Sequence, residues 1–254
     1  MLASGLTAEV FSWGNGRVLK LFFPWMPEVA IHREFAIAQA ITGIPAPAVY
    51  EMIKIAGRHG IVFERVEGVS MLKQAERKPT MLFAGARQLA ELHARIHSQT
   101  APPTLPAQRD KIERYIEDAE DFTPAQKAVA RRIAAELPKG TALCHGDFHP
   151  ANVLFGARGP VIIDWGGATR GHPLADVART SVLIESAKLP EGTPLHIQML
   201  MKVSRSLLHA TYLKRYLELR PGTMDEIEKW RVPQRMAASA WRARKKAGMA
   251  KLSV

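Results

Sequence analysis

Cysteine and long apolar runs are scarce in this sequence, and each scarcity excludes a class of protein. Cys144 is the single cysteine, so no internal disulfide can form, and this usage fits a reducing compartment. No apolar run approaches the roughly 18 to 20 residues that span a bilayer. The first residues, MLASGLTAEVF, lack the basic region of a signal peptide. We therefore expect a cytoplasmic protein without a membrane partner.

The composition is otherwise that of an ordinary globular protein, apart from its positive charge. The 254 residues are 47% hydrophobic and 23% charged, which excludes a disordered chain. The net charge of +11 indicates either a nucleic-acid or phospholipid partner or attraction to a polyphosphate cofactor. A run without acidic residues near the C-terminus carries much of the excess: Lys229, Arg231, Arg235, Arg242, Arg244, Lys245, Lys246 and Lys251. Because no nucleic-acid-binding motif accompanies it, we favour the cofactor over a nucleic-acid partner.

The amino-terminal part of the sequence predicts a small antiparallel sheet with one inserted helix. Four runs have the character of β-strands: 9–13, 17–22, 48–55 and 61–66. Gly14-Asn15-Gly16 separates the first two, and Asn-Gly is a strong hairpin signal. We expect a helix that begins near Pro27 and ends at Gly43, and a turn at 57–60.

From Gly68 onward the pattern becomes helical. Apolar residues recur at spacings of three and four in five stretches: 79–98, 106–120, 123–137, 172–187 and 194–219. One β-like segment, 152–164, interrupts them. The change predicts an α+β fold of two lobes, residues 1–67 and residues 68–254, with a ligand cleft between them.

The segment Cys144-His-Gly-Asp-Phe-His-Pro-Ala-Asn152 and the apolar hairpin after it predict a magnesium site. If Phe155 faces Val161 in that hairpin, Asn152 lies opposite Asp164, and facing residues in such a ladder are about 5 Å apart. Two oxygen donors at that separation can bind one Mg²⁺ beside substrate phosphates. Asp147 precedes them by a short loop and would accept the proton of an acceptor hydroxyl.

The spacing of these residues is specific. One residue separates His145 from Asp147, and four residues separate Asp147 from Asn152. This is the spacing of the histidine, aspartate and asparagine in the catalytic loop of kinases. With only two asparagines in the chain, a chance match is on the order of one in several hundred. One alternative is a turn in which the Asp and Asn side chains only cap the backbone. Another takes His145 and His149 as metal ligands on a helix, which Gly146 and Pro150 disfavour.

Three segments resemble the aminoglycoside phosphotransferase family, which consists of small-molecule kinases with a protein-kinase-like fold. They are HGDFHPANVLF at 145–155, VIIDWG at 161–166 and GHPLADVA at 171–178. The resemblance covers nearly the whole chain and implies a bilobal kinase fold. It also implies Mg²⁺, ATP with GTP as an alternative, and transfer of the γ-phosphoryl group to a hydroxyl of a small molecule. Within the third segment, it implies that Asp176 braces the catalytic loop.

The same resemblance assigns a nucleotide site to the amino-terminal lobe. Lys20 would contact the α- and β-phosphates, and Glu34 would pair with it from the following helix. Phe63 would lie against the adenine, and the Glu64 carbonyl and the Val66 amide would hydrogen-bond its edge.

Two features depart from the family pattern. Only residues 1–4 remain for a first strand before Gly5-Leu6-Thr7-Ala8, so the loop over the phosphates is short, although amides near Gly5 and Thr7 could face phosphate oxygens. The carboxyl-terminal region is basic, whereas aminoglycoside-binding members present acidic surfaces. We expect one group of acidic residues to form a solvated helix face: Glu113, Glu117, Asp118, Glu120 and Asp121. A neutral or anionic acceptor therefore fits better than a polycation.

Three other functions are alternatives. A protein kinase is disfavoured because only eleven residues separate Asp164 from Asp176 and no Ala-Pro-Glu motif is present. A catalytically inactive nucleotide-binding module would have lost one of the residues above, all of which are present. A nucleic-acid binder would use residues 229–251, where we expect Trp230, Met236 and Trp241 to belong to the core.

Overall fold

The computed structural model describes residues 1–250 apart from residues 6, 188, 190 and 191. Some predictions fall outside the described residues because they concern Leu6, Lys251 or the side chains of Trp241, Arg242, Arg244, Lys245 and Lys246. The strands are β1 Ala3–Ser4, β2 Ala8–Ser12, β3 Arg17–Phe22, β4 Val49–Ile55, β5 Arg58–Glu64, β6 Gly68–Ser70, β7 Ala142–Cys144, β8 Val153–Gly156, β9 Gly159–Ile162 and β10 Thr169–Gly171. The α-helices are α1 Glu28–Ala40, α2 Met71–Arg77, α3 Leu82–His97, α4 Gln108–Glu117, α5 Pro124–Glu136, α6 Pro173–Glu185, α7 Leu195–Leu219 and α8 Met224–Ala250. Short 3₁₀-helices span Pro79–Met81, Pro150–Asn152 and Trp165–Gly167.

The amino-terminal strands form one antiparallel sheet in the order β1-β2-β3-β5-β4, as the strand-like runs predicted. Residues 14–16 all have positive φ, between 43° and 68°, and this left-handed turn joins β2 to β3. Helix α1 packs on one face of the sheet, where Ile31 joins Phe22 and Ile61 in a buried cluster. The predicted hairpin and inserted helix are therefore confirmed.

The second hairpin differs from its prediction. Ala56 and Gly57 have φ values of 47° and 79° and make the turn, so β5 already begins at Arg58. Gly60 does not belong to the turn, because a Cβ at this position would lie 2.6 Å from Leu19 Cδ1. Close packing inside the sheet, rather than a turn, explains this glycine. β5 also ends two residues earlier than predicted.

Helix α6 lies at the centre of the carboxyl-terminal part. Every residue from Leu174 to Val182 is buried, because α7 and α8 both pack against this helix. α3 packs along α7 through an apolar face that includes Leu89 and Ile96. The five helical stretches predicted from apolar spacing all contain helices, whereas α2 and α8 were not predicted.

The predicted single β-like segment is wrong in its extent. β6 pairs with β8 to extend the β8–β9 hairpin to three strands, and β7 pairs with β10 in a second small sheet. β6, β7 and β10 are three residues long, too short to show an alternating pattern. These three strands can be recognised only from their pairing with other strands in the folded protein.

The predicted hairpin register is wrong by one residue. Val153 pairs with Ile162, and the chain turns through residues 157 and 158. A two-residue connection determines the pairing of its strands, and the prediction assumed a longer loop. The Ile163 N–H donates to the Asn152 carbonyl at 3.0 Å, so Asn152 faces Ile163 and Asp164 lies one residue beyond.

The last two expectations concern the boundary between the lobes and membrane-spanning helices. The division at Glu67–Gly68 stays a prediction, although β6 begins at Gly68 and pairs with β8 of the carboxyl-terminal part. Among the described residues, no helix is long and apolar enough to cross a membrane.

Candidate active site

The loop from His145 to Asn152 connects β7 to β8 and carries Asp147. The backbone N–H of Asp147 donates to His145 Nδ1 at 3.2 Å. Asn152, which is 8% exposed, donates from Nδ2 to the Asp147 carbonyl at 2.9 Å. His149 Nε2 lies 3.9 Å from Asp147 Oδ2, whose side chain is 25% exposed. The loop therefore holds the Asp147 backbone in place and leaves its carboxylate accessible.

Asp176 anchors this loop from α6. Its carboxylate is 1% exposed and accepts the backbone N–H groups of His145 and Gly146 at 2.6 and 2.9 Å. Burial alone raises the pKa of Asp176, but the hydrogen bonds from His93 and His97 outweigh burial and hold its pKa well below the usual value. The expected bracing role of Asp176 is confirmed by these contacts.

Two histidines and two tyrosines extend the anchor into the core. His93 and His97 on α3 each place Nε2 near Asp176 Oδ2, at 3.1 and 3.3 Å. Their Nδ1 atoms lie 2.6 Å from the Tyr212 hydroxyl and 2.7 Å from the Tyr216 hydroxyl. Because an ionised carboxylate only accepts, each histidine donates from Nε2, and a neutral imidazole then accepts the tyrosine proton at Nδ1. Sequence reasoning did not find this network, since its members lie up to 119 positions apart.

Lys20 connects the amino-terminal sheet to the magnesium-binding candidate. From β3, its Nζ lies 2.6 Å from Glu34 Oε1 on α1 and 2.9 Å from Asp164 Oδ1. The predicted Lys20–Glu34 ion pair is therefore present. Burial lowers the pKa of Lys20, but the two carboxylates outweigh it and raise its pKa above the usual value. Lys20 stays protonated over the whole physiological range.

Asp164 is held in an unusual backbone conformation. Its φ of 62° and ψ of 60° are left-handed, and the 3₁₀-helix Trp165–Gly167 follows at once. A Cβ added at Gly166 would lie 2.5 Å from Glu34 Oε2, so this segment approaches α1 too closely for a side chain. The Asp164 side chain is 46% exposed despite its ion pair. It can therefore reach a ligand in the cleft.

The residues predicted for the adenine site lie at the end of β5. Phe63 pairs with Val18 while Lys20 pairs with Ile61, and facing residues share a side, so Phe63 lies on the same face of the sheet as Lys20. The Glu64 N–H donates to the Ala48 carbonyl at 2.8 Å. None of the described residues accepts a hydrogen bond from the Val66 N–H.

The short amino terminus forms an abbreviated strand rather than a full glycine-rich cover. β1 has two residues and pairs with β2, and the Gly5 N–H donates to the Ala8 carbonyl at 2.9 Å. The amide of Gly5 is therefore already engaged within the chain. Thr7 lies at the edge of the cleft.

A cleft of about 540 Å³ brings together some of these residues, whereas Lys20, Asn152, Phe63, Glu64 and Val66 are not among the described residues that line it. It is lined by Glu34, Asp147 and Asp164, by the segment 25–30 before and within α1, and by one side of α4. A larger cavity of about 930 Å³ lies between α6 and α7, but none of the predicted catalytic side chains is among the described residues that line it. Because the ionisable groups converge in the smaller cleft, we regard it as the candidate active site.

Cations line the α4 side of this cleft, which sequence reasoning did not predict. Lys111 and Arg114 come from α4, and Arg33 comes from α1. The acidic residues 113, 117, 118, 120 and 121 are not among the described residues that line the cleft; Glu117, for example, pairs with Arg131 on α5. No sequence motif marks Lys111 or Arg114, because their position depends on how α4 packs.

Oxygen donors of the kind that Mg²⁺ prefers are present at the predicted positions. The Asn152 amide oxygen and the Asp164 carboxylate are hard ligands; Asp164 lines the cleft, and Asn152 belongs to the loop that also carries Asp147. These residues fit a magnesium ion. Their roles as ligands, like the roles assigned to Asp147, Lys20, Glu34, Phe63, Glu64 and Val66, stay predictions.

A sheet-rich amino-terminal part, a mainly helical carboxyl-terminal part and a cleft with these ionisable groups form the architecture of kinase-type phosphotransferases. The chain belongs to the phosphotransferase enzyme family, whose model matches residues 2–196. The resemblance to aminoglycoside phosphotransferases is therefore confirmed.

Two curated proteins are similar to the chain over part of their length. The chain is 27% identical over 180 residues to acyl-CoA dehydrogenase family member 11 of Gallus gallus. It is 28% identical over 190 residues to family member 10 of Mus musculus. These alignments cover 61% and 65% of this chain but 23% and 18% of those proteins, so the chain spans less than a quarter of their length.

Solved structures share the fold. A thermostable mutant of aminoglycoside phosphotransferase APH(4)-Ia, in complex with AMP-PNP and hygromycin B, has a TM-score of 0.54 and 19% identity over 95% of this chain and 92% of its own. Amicoumacin kinase hAmiN, with AMP-PNP and Ca²⁺, has a TM-score of 0.59 and 14% identity; the match covers 89% of this chain and 73% of that kinase. Choline kinase from Cryptosporidium parvum has a TM-score of 0.54 and 14% identity; the match covers 99% of this chain and 88% of that kinase. The predicted bilobal, protein-kinase-like α+β fold is confirmed.

Proposed function

We propose that the protein transfers the γ-phosphoryl group of ATP to a hydroxyl group of a small molecule. One observation supports this most: Lys20 contacts Glu34 at 2.6 Å and Asp164 at 2.9 Å, and both carboxylates line the same cleft as Asp147. A lysine, a metal-binding carboxylate and a catalytic base within one cleft are the parts that phosphoryl transfer needs.

Asn152 and Asp164 would hold a magnesium ion, which supplies charge neutralisation at the nucleotide phosphates. Glu34 keeps Lys20 directed into the cleft, where its ammonium binds phosphate oxygens. Asp147 accepts a hydrogen bond from the acceptor hydroxyl, aligns its oxygen and takes its proton. Asp176 keeps the Asp147 backbone in position, as its contacts with the loop show.

The nucleotide base would lie at the end of β5. Phe63 offers an aromatic surface on the same face as Lys20, and the Val66 N–H and the Glu64 carbonyl provide a donor and an acceptor for the adenine edge. GTP is an alternative nucleotide at the same site. We place nucleotide binding in residues 1–67 and acceptor binding in residues 68–254, and we assign the protein to the cytoplasm.

The acceptor is proposed to be neutral or anionic. Hygromycin B and streptomycin are bound by structural neighbours of this fold. In this chain, however, the cleft presents Lys111, Arg114 and Arg33 on its acceptor side. Like charges repel at such short range, so a polycationic acceptor is disfavoured.

Replacing the catalytic aspartate tests the proposal. Asp147→Asn should reduce phosphoryl transfer by at least about a thousandfold, since it removes the base and its alignment of the hydroxyl, while Mg·AMP-PNP binding stays nearly unchanged. ADP release would be followed over a panel of sugars, amino alcohols, hydroxy acids, antibiotics and nucleosides, and binding by calorimetry. Asp164→Ala should weaken Mg·AMP-PNP binding as well. Asp225→Asn, an exposed position on α8, is the matched control.

Two results would contradict the proposal. Full activity of Asp147→Asn would remove the assignment of the base. Magnesium-dependent AMP-PNP binding by the unmodified protein, without turnover of any hydroxyl compound, would instead support an inactive kinase-like binding module.

A further inference from the structure

Lys111 lies between the two segments that carry the catalytic carboxylates. Its Nζ donates to the Gly167 carbonyl at 2.5 Å, three residues beyond Asp164. A Cβ added at Gly146, next to Asp147, would lie 3.5 Å from the same Nζ. The Lys111 ammonium group therefore lies beside both the loop that carries Asp147 and the segment that follows Asp164.

Two further cations lie on the same wall of the cleft. Arg114 follows Lys111 by one helical turn, and Arg33 faces it from α1; both are exposed and line the cleft. None of the described residues forms an ion pair with either arginine at 4 Å or less. The guanidinium group is a planar multiple donor suited to carboxylate and phosphate.

None of the described carboxylates that line the cleft forms an ion pair at 4 Å or less with these three cations, although Asp147 and Asp176 act on Lys111 at longer range. Glu34 and Asp164 pair with Lys20, and buried Asp176 accepts from loop N–H groups and two histidines. Asp147 remains as the catalytic group itself. The acceptor side of the cleft therefore has more positive than negative charge available to a ligand.

We propose that Lys111, Arg114 and Arg33 bind an anionic group of the acceptor, which is a hydroxylated small molecule with a carboxylate or a phosphate. This inference rests on the proposed function and names its substrate class. The anionic group pairs with the cations of α4 and α1 while the hydroxyl lies at Asp147. The apolar side chains of Trp25, Val29 and Ile112 line the same cleft and contact the carbon skeleton.

The protonation state of Lys111 is consistent with an anion-binding site. Burial, together with the neighbouring Arg179 charge, lowers the pKa of Lys111 to about 8 against the opposing effect of Asp147. The ammonium form still predominates at pH 7. A bound anion stabilises that form, so anion binding and protonation of Lys111 favour each other.

An anion titration tests this site without knowledge of the acceptor. Inorganic phosphate and acetate would be titrated separately into the full chain saturated with Mg·AMP-PNP, and tryptophan fluorescence would report binding because Trp25 lines the cleft. The two anions distinguish a phosphate-bearing acceptor from a carboxylate-bearing one. Saturation with the nucleotide analogue keeps both anions out of the nucleotide phosphate site.

The variants separate an anion site from other roles of Lys111. Lys111→Met should weaken binding of at least one anion by about tenfold, the usual loss for a charge-assisted hydrogen bond. Arg114→Gln should weaken it severalfold, and as an exposed position it tests the site even if Lys111→Met fails to fold. Arg132→Gln removes the same charge from exposed α5 and should change nothing.

A second experiment compares acceptors that differ mainly in charge. Gluconate and glucose 6-phosphate would be compared with glucose and glucosamine, and glycerate and glycerol 3-phosphate with glycerol. Phosphorylation should occur with anionic members of these sets, and Arg114→Gln should raise their KM severalfold with little change in the KM for ATP.

The outcomes distinguish this inference from the proposed function. Equal anion affinity in the unmodified chain and in both cleft variants would overturn it, as would transfer confined to neutral or cationic acceptors, which leaves the proposed function intact. A tenfold loss of Mg·AMP-PNP affinity in Lys111→Met would place Lys111 at the nucleotide instead. Failure of the unmodified chain to bind Mg·AMP-PNP would refute the proposed function itself. If no tested compound is phosphorylated, the anion titration still shows whether Lys111, Arg114 and Arg33 bind an anion.

Discussion

At the scale of single residues, Lys20 shows how ion pairs prepare a site for charged ligands. One ammonium group is shared by Glu34 and Asp164, which have side chains 12% and 46% exposed. Burial raises the pKa of the Glu34 carboxyl, against the opposing charge of Lys20. If Asp164 binds the proposed metal ion, Glu34 remains as the partner of Lys20, at 2.6 Å. The sequence identified this pair only through its position in the family pattern.

Gly166→Ala should damage nucleotide binding. The new Cβ would lie 2.5 Å from Glu34 Oε2, so the Glu34 side chain must move. This movement breaks the Lys20–Glu34 ion pair, so we expect the KM for ATP to rise severalfold, and the midpoint of urea unfolding should also fall because both side chains are largely buried. Gly85→Ala is the control, because its Cβ would meet only Met71 Cγ, at 3.8 Å, inside α3. An unchanged KM for ATP in Gly166→Ala would show that the pair does not position Lys20.

At the scale of elements, packing between helices determines which charges face inward. Arg231 lies in the basic carboxyl-terminal run, yet it is 7% exposed. It pairs with Glu185 at the end of α6 and, at 2.7 Å, with Glu228. Trp230 and Met236 are also buried, as expected, at 2% and 5% exposure. Part of this run therefore attaches α8 to the core and is not a surface for nucleic acid.

Glu185→Ala should destabilise the packing of α8 on α6. It leaves the buried Arg231 guanidinium with Glu228 as its remaining carboxylate, so we expect a loss of about 2 kcal/mol in the free energy of unfolding. Urea denaturation at neutral pH measures the loss. Glu91→Ala, which breaks the more exposed pair with Arg215, should cost less than Glu185→Ala. Equal losses in both variants would show that the Glu185 pair acts as an ordinary surface ion pair.

At the scale of the whole molecule, buried histidines make stability depend on pH. Burial lowers the pKa of His97 to about 3, and it also lowers the pKa values of His93 and His145. These groups have ordinary pKa values in the unfolded chain, so below about pH 6.5 the unfolded state binds more protons than the folded state. The stability that they contribute is complete above that pH and is lost as the pH falls towards the folded pKa values.

The free energy of unfolding should therefore fall when the pH is lowered from 7.5 to 5.5. Each buried histidine contributes a decrease on the order of 1 kcal/mol over this interval. Urea denaturation at the two pH values measures it. His97→Asn should be less stable at both pH values but lose about 1 kcal/mol less between them. His32→Gln, at a site 51% exposed, is the control for loss of a histidine at the surface. Stability that is equal at both pH values would contradict the neutral state assigned to the histidine network.

The sequence by itself determined the parts of this protein that depend on local pattern. The hairpin at Gly14-Asn15-Gly16, the five predicted helical stretches and the kinase-type loop spacing are each encoded within a short segment, so periodicity and turn chemistry suffice to find them. The resemblance placed Lys20, Glu34 and Asp176, and the structure shows the contacts expected for each.

Only the tertiary structure decided which distant residues meet. The two-residue turn places Asn152 opposite Ile163, a register that the apolar pattern of β8 and β9 did not reveal. The packing of α3 on α7 brings His93 and His97 to Tyr212 and Tyr216, and the packing of α4 brings Lys111 to Gly167. A helix pattern specifies an apolar face but not the partner of each polar side chain, because that partner depends on how the helices cross.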